Sequence, residues 1–198
     1  PPLPPTVQLD ENPPGYDERE RAVAMLGRFS QEKRYHWVLG KIAPRLAKEA
    51  PDTKIIIMGD ASTPSSRLYY EQLLSQITKM NLKNVVLLRS PSRQVIKETL
   101  KKSMLFLHAT INEHWGIAVA EAMAHGTPPV VHKSGGAWTD LAEEGKTGLG
   151  YTNEEEAIEE ITDTLSNRKK WRYYSQKSIE KAKELTFQNF IKKVQEIW

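Results

Sequence analysis

A chain of 198 residues can bury one full domain core, and 39% apolar with 27% charged side chains is ordinary for a globular protein. An excess of 28 basic over 25 acidic residues, +3 in all, is too mild to make nucleic acid the main partner. The absence of cysteine excludes disulfides and cysteine-based metal sites, and no apolar run approaches the roughly 20 residues that cross a bilayer.

Residues 1–21 carry Pro1, Pro2, Pro4, Pro5, Pro13 and Pro14, then a charged run through Arg21. Such a segment prefers extended, semi-rigid conformations. It reads as an interdomain connector or domain edge, with another domain expected before it; a peptide ligand for an aromatic-lined groove is the rival reading. The opening is not a basic-then-apolar leader, so no secretory signal is read. The lack of cysteine suits the cytosol, or a heat-adapted source.

From Ala22 on, short apolar runs alternate with helical patterns. Ala22–Leu26, Lys54–Met58, Val85–Leu88, Met104–Leu107 and Pro129–Val131 read as buried strands. Tyr35–Ala50, Ser65–Met80, Ser92–Ser103 and Ile117–His125 read as helices between them. Pro44 is expected to press on the carbonyl of Gly40 and bend its helix. Alternation of this kind implies an α/β fold with an open parallel sheet and right-handed crossovers. Gly145, Gly148 and Gly150 punctuate a short segment, after which Glu154–Ser166, Lys169–Glu184 and Phe187–Trp198 read as helices. The last is amphipathic, spaced for docking onto this domain or partly onto a neighbour.

In an open parallel sheet, ligands bind beyond the carboxyl ends of the strands, so the loops there hold the candidate chemistry. After the first strand, Arg28 and Lys33 flank a turn beside Gly27. A guanidinium fork plus a point-charge ammonium suits a diphosphate; two surface cations at a helix entry is the plain alternative. The turn is not a Walker loop, and no GxGxxG fingerprint is present.

After the fourth strand comes the string Asn112-Glu113-His114-Trp115-Gly116-Ile117-Ala118, with Glu121 on the helix that follows. Free amides at a helix start favour an anionic or oxygen-rich ligand. Glu121 is the only charge on that helix and lies about 7.5 Å along its axis from Gly116. Glu113 and Glu121 are therefore spaced to hold two distant hydroxyl pairs of one extended ligand. A helix cap or loop ion pair for Glu113, and a buried pair with Arg or Lys for Glu121, are the bland readings. Ser134-Gly135-Gly136 reads as either an anion-binding turn or a tight turn before a short helix around Trp138–Ala142. His108, His114, His125 and His132 lack metal-ligand spacing and read as structural or lining groups. No metal site is expected.

Taken together these residues resemble glycosyltransferase family 4, in its C-terminal donor-binding domain of the two-domain GT-B fold. The resemblance runs from about Ala22 to Trp198. It rests on Gly27-Arg28-Phe29-Ser30-Gln31-Glu32-Lys33, on Glu113 and Glu121 as an E-x7-E pair continued through Pro128, on Ser134-Gly135-Gly136, and on Glu144-Gly145-Lys146-Thr147-Gly148. The Asn112–Ile117 and His132–Gly136 strings look like the α-1,2-mannosyltransferase branch that extends lipid-linked oligosaccharides in N-glycan assembly.

The resemblance implies a Rossmann-like nucleotide-sugar-binding domain over 22–198, helices on both faces of its sheet, and an N-terminal acceptor domain outside this chain. It implies retaining, metal-independent hexosyl transfer from a nucleotide-diphosphate sugar, GDP-mannose favoured, with no separate cofactor. Arg28 and Lys33 would hold the diphosphate. Glu113 and the amides of Gly116 and Ile117 would hold the sugar, Glu121 the ribose, and Arg89 and Ser90 the base, while Asn112, His114, Trp115 and Ala118 shape the pocket. The isolated domain is expected inactive. A glycan or lipid-linked acceptor, and any membrane contact, would come through the other domain. The expected location is cytoplasmic, or peripheral at the cytoplasmic membrane face for the full-length enzyme. An ADP- or UDP-sugar-dependent glucosyltransferase and a non-catalytic nucleotide- or protein-binding module are the alternatives. Asp140 stands where many members have Glu, which leaves its role open.

Overall fold

The computed structural model describes residues 6–197, the side chain of residue 197 excepted, so Pro1, Pro2, Pro4, Pro5 and Trp198 lie outside it. Six strands form one parallel sheet: β1 (Glu20–Leu26), β2 (Lys54–Gly59), β3 (Val85–Arg89), β4 (Ser103–His108), β5 (Pro129–His132) and β6 (Leu149–Tyr151). Their order is β3-β2-β1-β4-β5-β6, so the chain runs outward from β1 in one direction and then returns to extend the sheet on the other side.

The five strands read from the sequence stand where expected, with β1 starting two residues earlier at Glu20. β6 is the addition. Three residues centred on a glycine look like turn material, yet a Cβ at Gly150 would lie 2.2 Å from the Trp138 ring. The glycine is there so that an indole can lie flat against the strand.

Alternate residues of the central strands enter opposite faces of the sheet. Val23 and Met25 of β1 and Leu105 and Leu107 of β4 join one core, which takes in Ile158, Ile161 and Trp171. Ala24 and Phe106 join the other, with Val119, Ala122 and Met123. Every residue of β4 is buried, as a central strand covered on both faces requires.

The helix expected over Tyr35–Ala50 is divided. It starts as α1 (Tyr35–Trp37), widens through Val38–Ile42 with the Ala43 N–H donating to the Val38 carbonyl, and resumes as α2 (Ala43–Glu49). Pro44 sits in the first turn of α2, where its missing N–H costs nothing. The wide turn lies directly before it, and carries Gly40, whose carbonyl the proline ring was expected to press on.

The remaining helices are α3 (Pro64–Met80), α4 (Arg93–Lys102), α5 (Ile117–Ala124), α6 (Glu154–Ser166), α7 (Arg168–Glu184) and α8 (Phe187–Ile197). Thr63, Ser92 and Asn153 cap α3, α4 and α6 by accepting from the Ser66, Val95 and Glu156 amides. A single wide turn over Ala137–Leu141 stands where the short helix was expected. Among the described residues no helix is long and apolar enough to cross a membrane.

Among the described residues ahead of β1, several bond to this domain. Val7 N–H donates to Leu185 O and Asp10 N–H to Ala124 O, both at 3.0 Å. Arg19 is buried and donates to Pro14 O, Ser103 O, His125 O and Thr127 Oγ1. Its guanidinium lies 5.0 Å from the Trp171 ring centroid, and burial lowers its pKa to about 10.

Candidate functional site

The strand order reverses between β1 and β4, and in an open parallel sheet ligands bind at such a point, beyond the carboxyl ends of the strands. The two loops at this point are residues 27–34 and 109–116. The first is kept close to the sheet by Gly27 N–H, which donates to Met58 O, and by Tyr35 Oη, which donates to Gly27 O at 2.9 Å. A Cβ at Gly27 would lie 3.0 Å from Tyr35 Oη and 3.1 Å from Lys33 Cε, so the bare glycine leaves room for both side chains. The lysine stem folds back over that glycine and points toward the second loop.

There Lys33 Nζ meets Glu113 Oε2 at 3.1 Å. His108 Nε2 approaches the same oxygen at 3.1 Å, and His114 N–H donates to Oε1 at 3.1 Å. A carboxylate only accepts, so His108 carries its proton on Nε2. The His108 bond, aided by Lys33 and opposed by partial burial, holds Glu113 at about 2. Burial pushes His108 below its ordinary value, so its ring is neutral at pH 7.

This depression has a stability consequence. The folded pKa lies below the unfolded one near 4.5, so the contribution is full above about pH 5 and is lost as the pH falls toward 2. Glu113→Gln is therefore expected to flatten the acid side of the stability profile. Denaturation midpoints with equal pH slopes in both chains would contradict the pairing.

The 109–116 loop is held from three sides. Arg34, itself left-handed at φ 55°, donates to Ala109 O at 3.1 Å and lies 4.5 Å from the Trp37 centroid. Asn112, at φ 54°, donates its N–H to Ser134 Oγ at 2.8 Å. Gly136 N–H donates to Glu113 O at 2.7 Å. Ser134 Oγ and Gly136 N–H thus brace the Glu113 loop, while Ser134 N–H donates to His132 O and Gly135 O accepts from Thr139 Oγ1. Trp115 packs partly into the core, while His114 is exposed. Gly116 takes φ 89° at the start of α5, a conformation that favours glycine. No side chain among the described residues caps the amides at this helix start, where Ile117 is exposed and Ala118 half-buried.

Arg28 is exposed one residue after Gly27, and its charge bears on Asp60 and Glu32. Ser90, at φ 47°, donates its N–H to Gly59 O and its hydroxyl to Asp60 Oδ1, tying the exits of β2 and β3 together. Arg89 is exposed, 5.9 Å from the Tyr70 centroid. Asp140 is exposed and accepts from Thr139 Oγ1.

Glu121 has a partner in the chain. Arg93, at the start of α4, forks onto it with contacts of 3.0 and 3.3 Å. The arginine is 74% exposed and the glutamate 20%, so the pair sits at the protein–water boundary. Both line a cavity of about 730 Å³ with His125, Leu100, Val7 and Phe187; Arg28, Lys33 and Glu113 are not among its lining residues. The structure thus joins Lys33 to Glu113 directly, places Arg28 on the same strand exit, and sets Glu121 farther along α5 toward α4. The plain readings of a loop ion pair for Glu113 and an Arg or Lys partner for Glu121 match these contacts; sequence reading did not single out Arg93 or Arg34, which carry no local signal, and took His108 as a structural or lining group. Among the described residues, no three His, Asp or Glu side chains gather as a metal-holding group.

The model of the family "Glycosyl transferases group 1" matches residues 7–181. The GDP-Man:Man(3)GlcNAc(2)-PP-Dol alpha-1,2-mannosyltransferase of Dictyostelium discoideum is 27% identical over 179 residues, covering 87% of this chain and 35% of that protein. The Homo sapiens protein of the same name is 30% identical over 149 residues, covering 71% of this chain and 30% of its own length. The chain thus spans about a third of these relatives. Among solved structures, Anabaena Alr3699/HepE in complex with UDP and glucose aligns with a TM-score of 0.77 at 22% identity, over 90% of this chain and 48% of that one. TarM aligns at 0.79 and 18% identity, over 98% of this chain and 37% of that one.

Proposed function

The chain belongs to the group 1 glycosyl transferases, and from that premise we propose that it is the donor-binding part of a retaining, metal-independent hexosyltransferase that uses GDP-mannose. The observation that carries the reading is the Lys33–Glu113 contact at the point where strand order reverses, beside an uncapped helix start. The preference for mannose and GDP leans on the relatives' names.

In this reading Lys33 turns from Glu113 to the donor diphosphate, and exposed Arg28 closes on it from the same loop. As the bond from the anomeric carbon to the diphosphate oxygen breaks, its electron pair and negative charge pass to the leaving group. Cations and helix-start amides whose grip tightens at that moment lower the barrier. The carboxylate released by Lys33 accepts hydrogen bonds from sugar hydroxyls, which suits a group that stays ionised. Glu121 exchanges or shares its exposed Arg93 partner with ribose hydroxyls, and Arg89 and Ser90 border the base. The acceptor, a glycan or lipid-linked oligosaccharide, enters from a further domain, and the 198-residue chain transfers nothing by itself.

The test is a calorimetric panel of GDP-mannose, UDP-glucose and ADP-glucose against this chain. GDP-mannose is expected to bind tightest; a chain that binds none of the three is not a donor domain. Glu121→Ala is expected to weaken GDP binding about 10-fold, the scale of one charge-assisted hydrogen bond, with an unchanged melting profile. Equal GDP affinity in both chains removes Glu121 from the ribose.

A further inference from the structure

We infer that His108 is a positioning residue for donor-sugar recognition: it anchors the Glu113 carboxylate after the diphosphate has drawn Lys33 away. The inference rests on the reading of Glu113 as the acceptor of sugar hydroxyl bonds.

Three groups touch the Glu113 carboxylate, and they differ in how firmly each is placed. Lys33 ends a flexible stem, 22% exposed, and is the group a diphosphate competes for. The His114 N–H belongs to the next residue, so it moves with the loop and cannot fix it. His108 alone is set in the rigid part of the fold. It is the last residue of β4, its side chain is 4% exposed, and its ring lies nearly parallel to Phe106 at 6.4 Å between centroids. Its own carbonyl accepts from Tyr151 Oη at 3.0 Å, which ties its backbone to β6. The side chain that would meet the sugar is thereby referenced to the sheet and not to the mobile end of a lysine.

The choice of group also fits. An uncharged N–H donor orients a carboxylate while leaving its remaining lone pairs and its full charge for hydroxyl donors. A second cation in that place would neutralise the carboxylate and compete for the phosphate. Holding one oxygen in a fixed direction is what separates recognition of a particular hydroxyl pattern from general attraction to it.

The test compares GDP-mannose and GDP binding to the chain by calorimetry, because the ratio of the two affinities isolates the sugar contact. In the wild type GDP-mannose is expected to bind tighter than GDP, and Glu113→Gln is expected to bring the ratio close to one. His108→Phe is expected to cut the ratio about 10-fold while GDP affinity stays within about 2-fold. His108→Gln, whose amide nitrogen reaches the Nε2 position, is expected to keep most of the ratio; His108→Asn, one methylene shorter, is expected to lose it. Should the phenylalanine chain fail to fold, the Gln–Asn contrast decides. Wild-type ratios in the Phe and Asn chains overturn the inference, and so does a parallel loss for GDP and GDP-mannose, which marks a general structural role. A Glu113→Gln chain that keeps the ratio, or a wild type that binds GDP-mannose no tighter than GDP, overturns instead the sugar-contact reading of Glu113 on which the inference stands.

Discussion

Replacing Lys33 with alanine is expected to lower sugar transfer by about 10²–10³-fold in the full enzyme, with Arg28→Ala of similar size. The reason lies in when the charge appears. A nucleotide diphosphate gains negative charge as the sugar leaves, so a cation fixed at that place stabilises the transition state more than the bound donor. Lys33 is placed for this by a one-turn 3₁₀ segment, Gln31–Lys33, and by a glycine floor at Gly27 that lets its stem lie close. The loss should appear chiefly in kcat, with a smaller change in donor affinity, because Lys33 must also give up Glu113 to bind the donor. Steady-state kinetics with unchanged kcat in both variants would remove these cations from catalysis.

Gly136→Ala is the second large effect. A Cβ there would sit 2.0 Å from His114 O and 3.2 Å from Asp140 Oδ2. Neither the backbone carbonyl nor the loop carrying it can give way locally, since Gly136 N–H also holds Glu113 O at 2.7 Å. The expected result is a displaced Glu113 loop, a stability loss of about 1–3 kcal/mol from overpacking, and transfer reduced about 10²-fold by misplacement on the order of 1 Å. Gly40→Ala serves as the control. Its Cβ would meet only Gln76 Nε2 at 3.5 Å, ordinary contact, so stability and activity should stay close to wild type. A Gly136→Ala enzyme that behaves like this control would show that the brace does not set the site.

The fold could be read from the chain wherever its signal was local. Apolar runs such as Ile55–Met58 and Met104–Leu107 are brief, branched and bounded by turns, and they became buried parallel strands. Leu149–Tyr151 escaped because what makes it a strand is the partner β5 and the indole that fits over Gly150, neither of which is near it in sequence. The division of the first long helix was half visible: Pro44 marked it as irregular, but the wide turn before Pro44 is a choice of hydrogen-bond partner.

At the site, the residue types and their loops were open to sequence reading. Arg28 and Lys33 follow one strand, Glu113 another, and Gly116 opens the helix that carries Glu121. Their partners were not. His108 read as one histidine among several, and Arg93 was not singled out, because nothing within a few residues of either points to a carboxylate.

What the chain determined by itself is therefore the alternation of strand and helix, the loops at the strand ends and the chemical kinds of side chain in them, since each depends on spacing and burial within a short window. What the tertiary structure decided is which loops meet. β1 and β4 are neighbours only because the sheet grows outward from β1 and then returns past it. That crossover brings Lys33 to Glu113 across 80 positions of chain, a contact set by packing between distant segments and by no periodicity along the sequence.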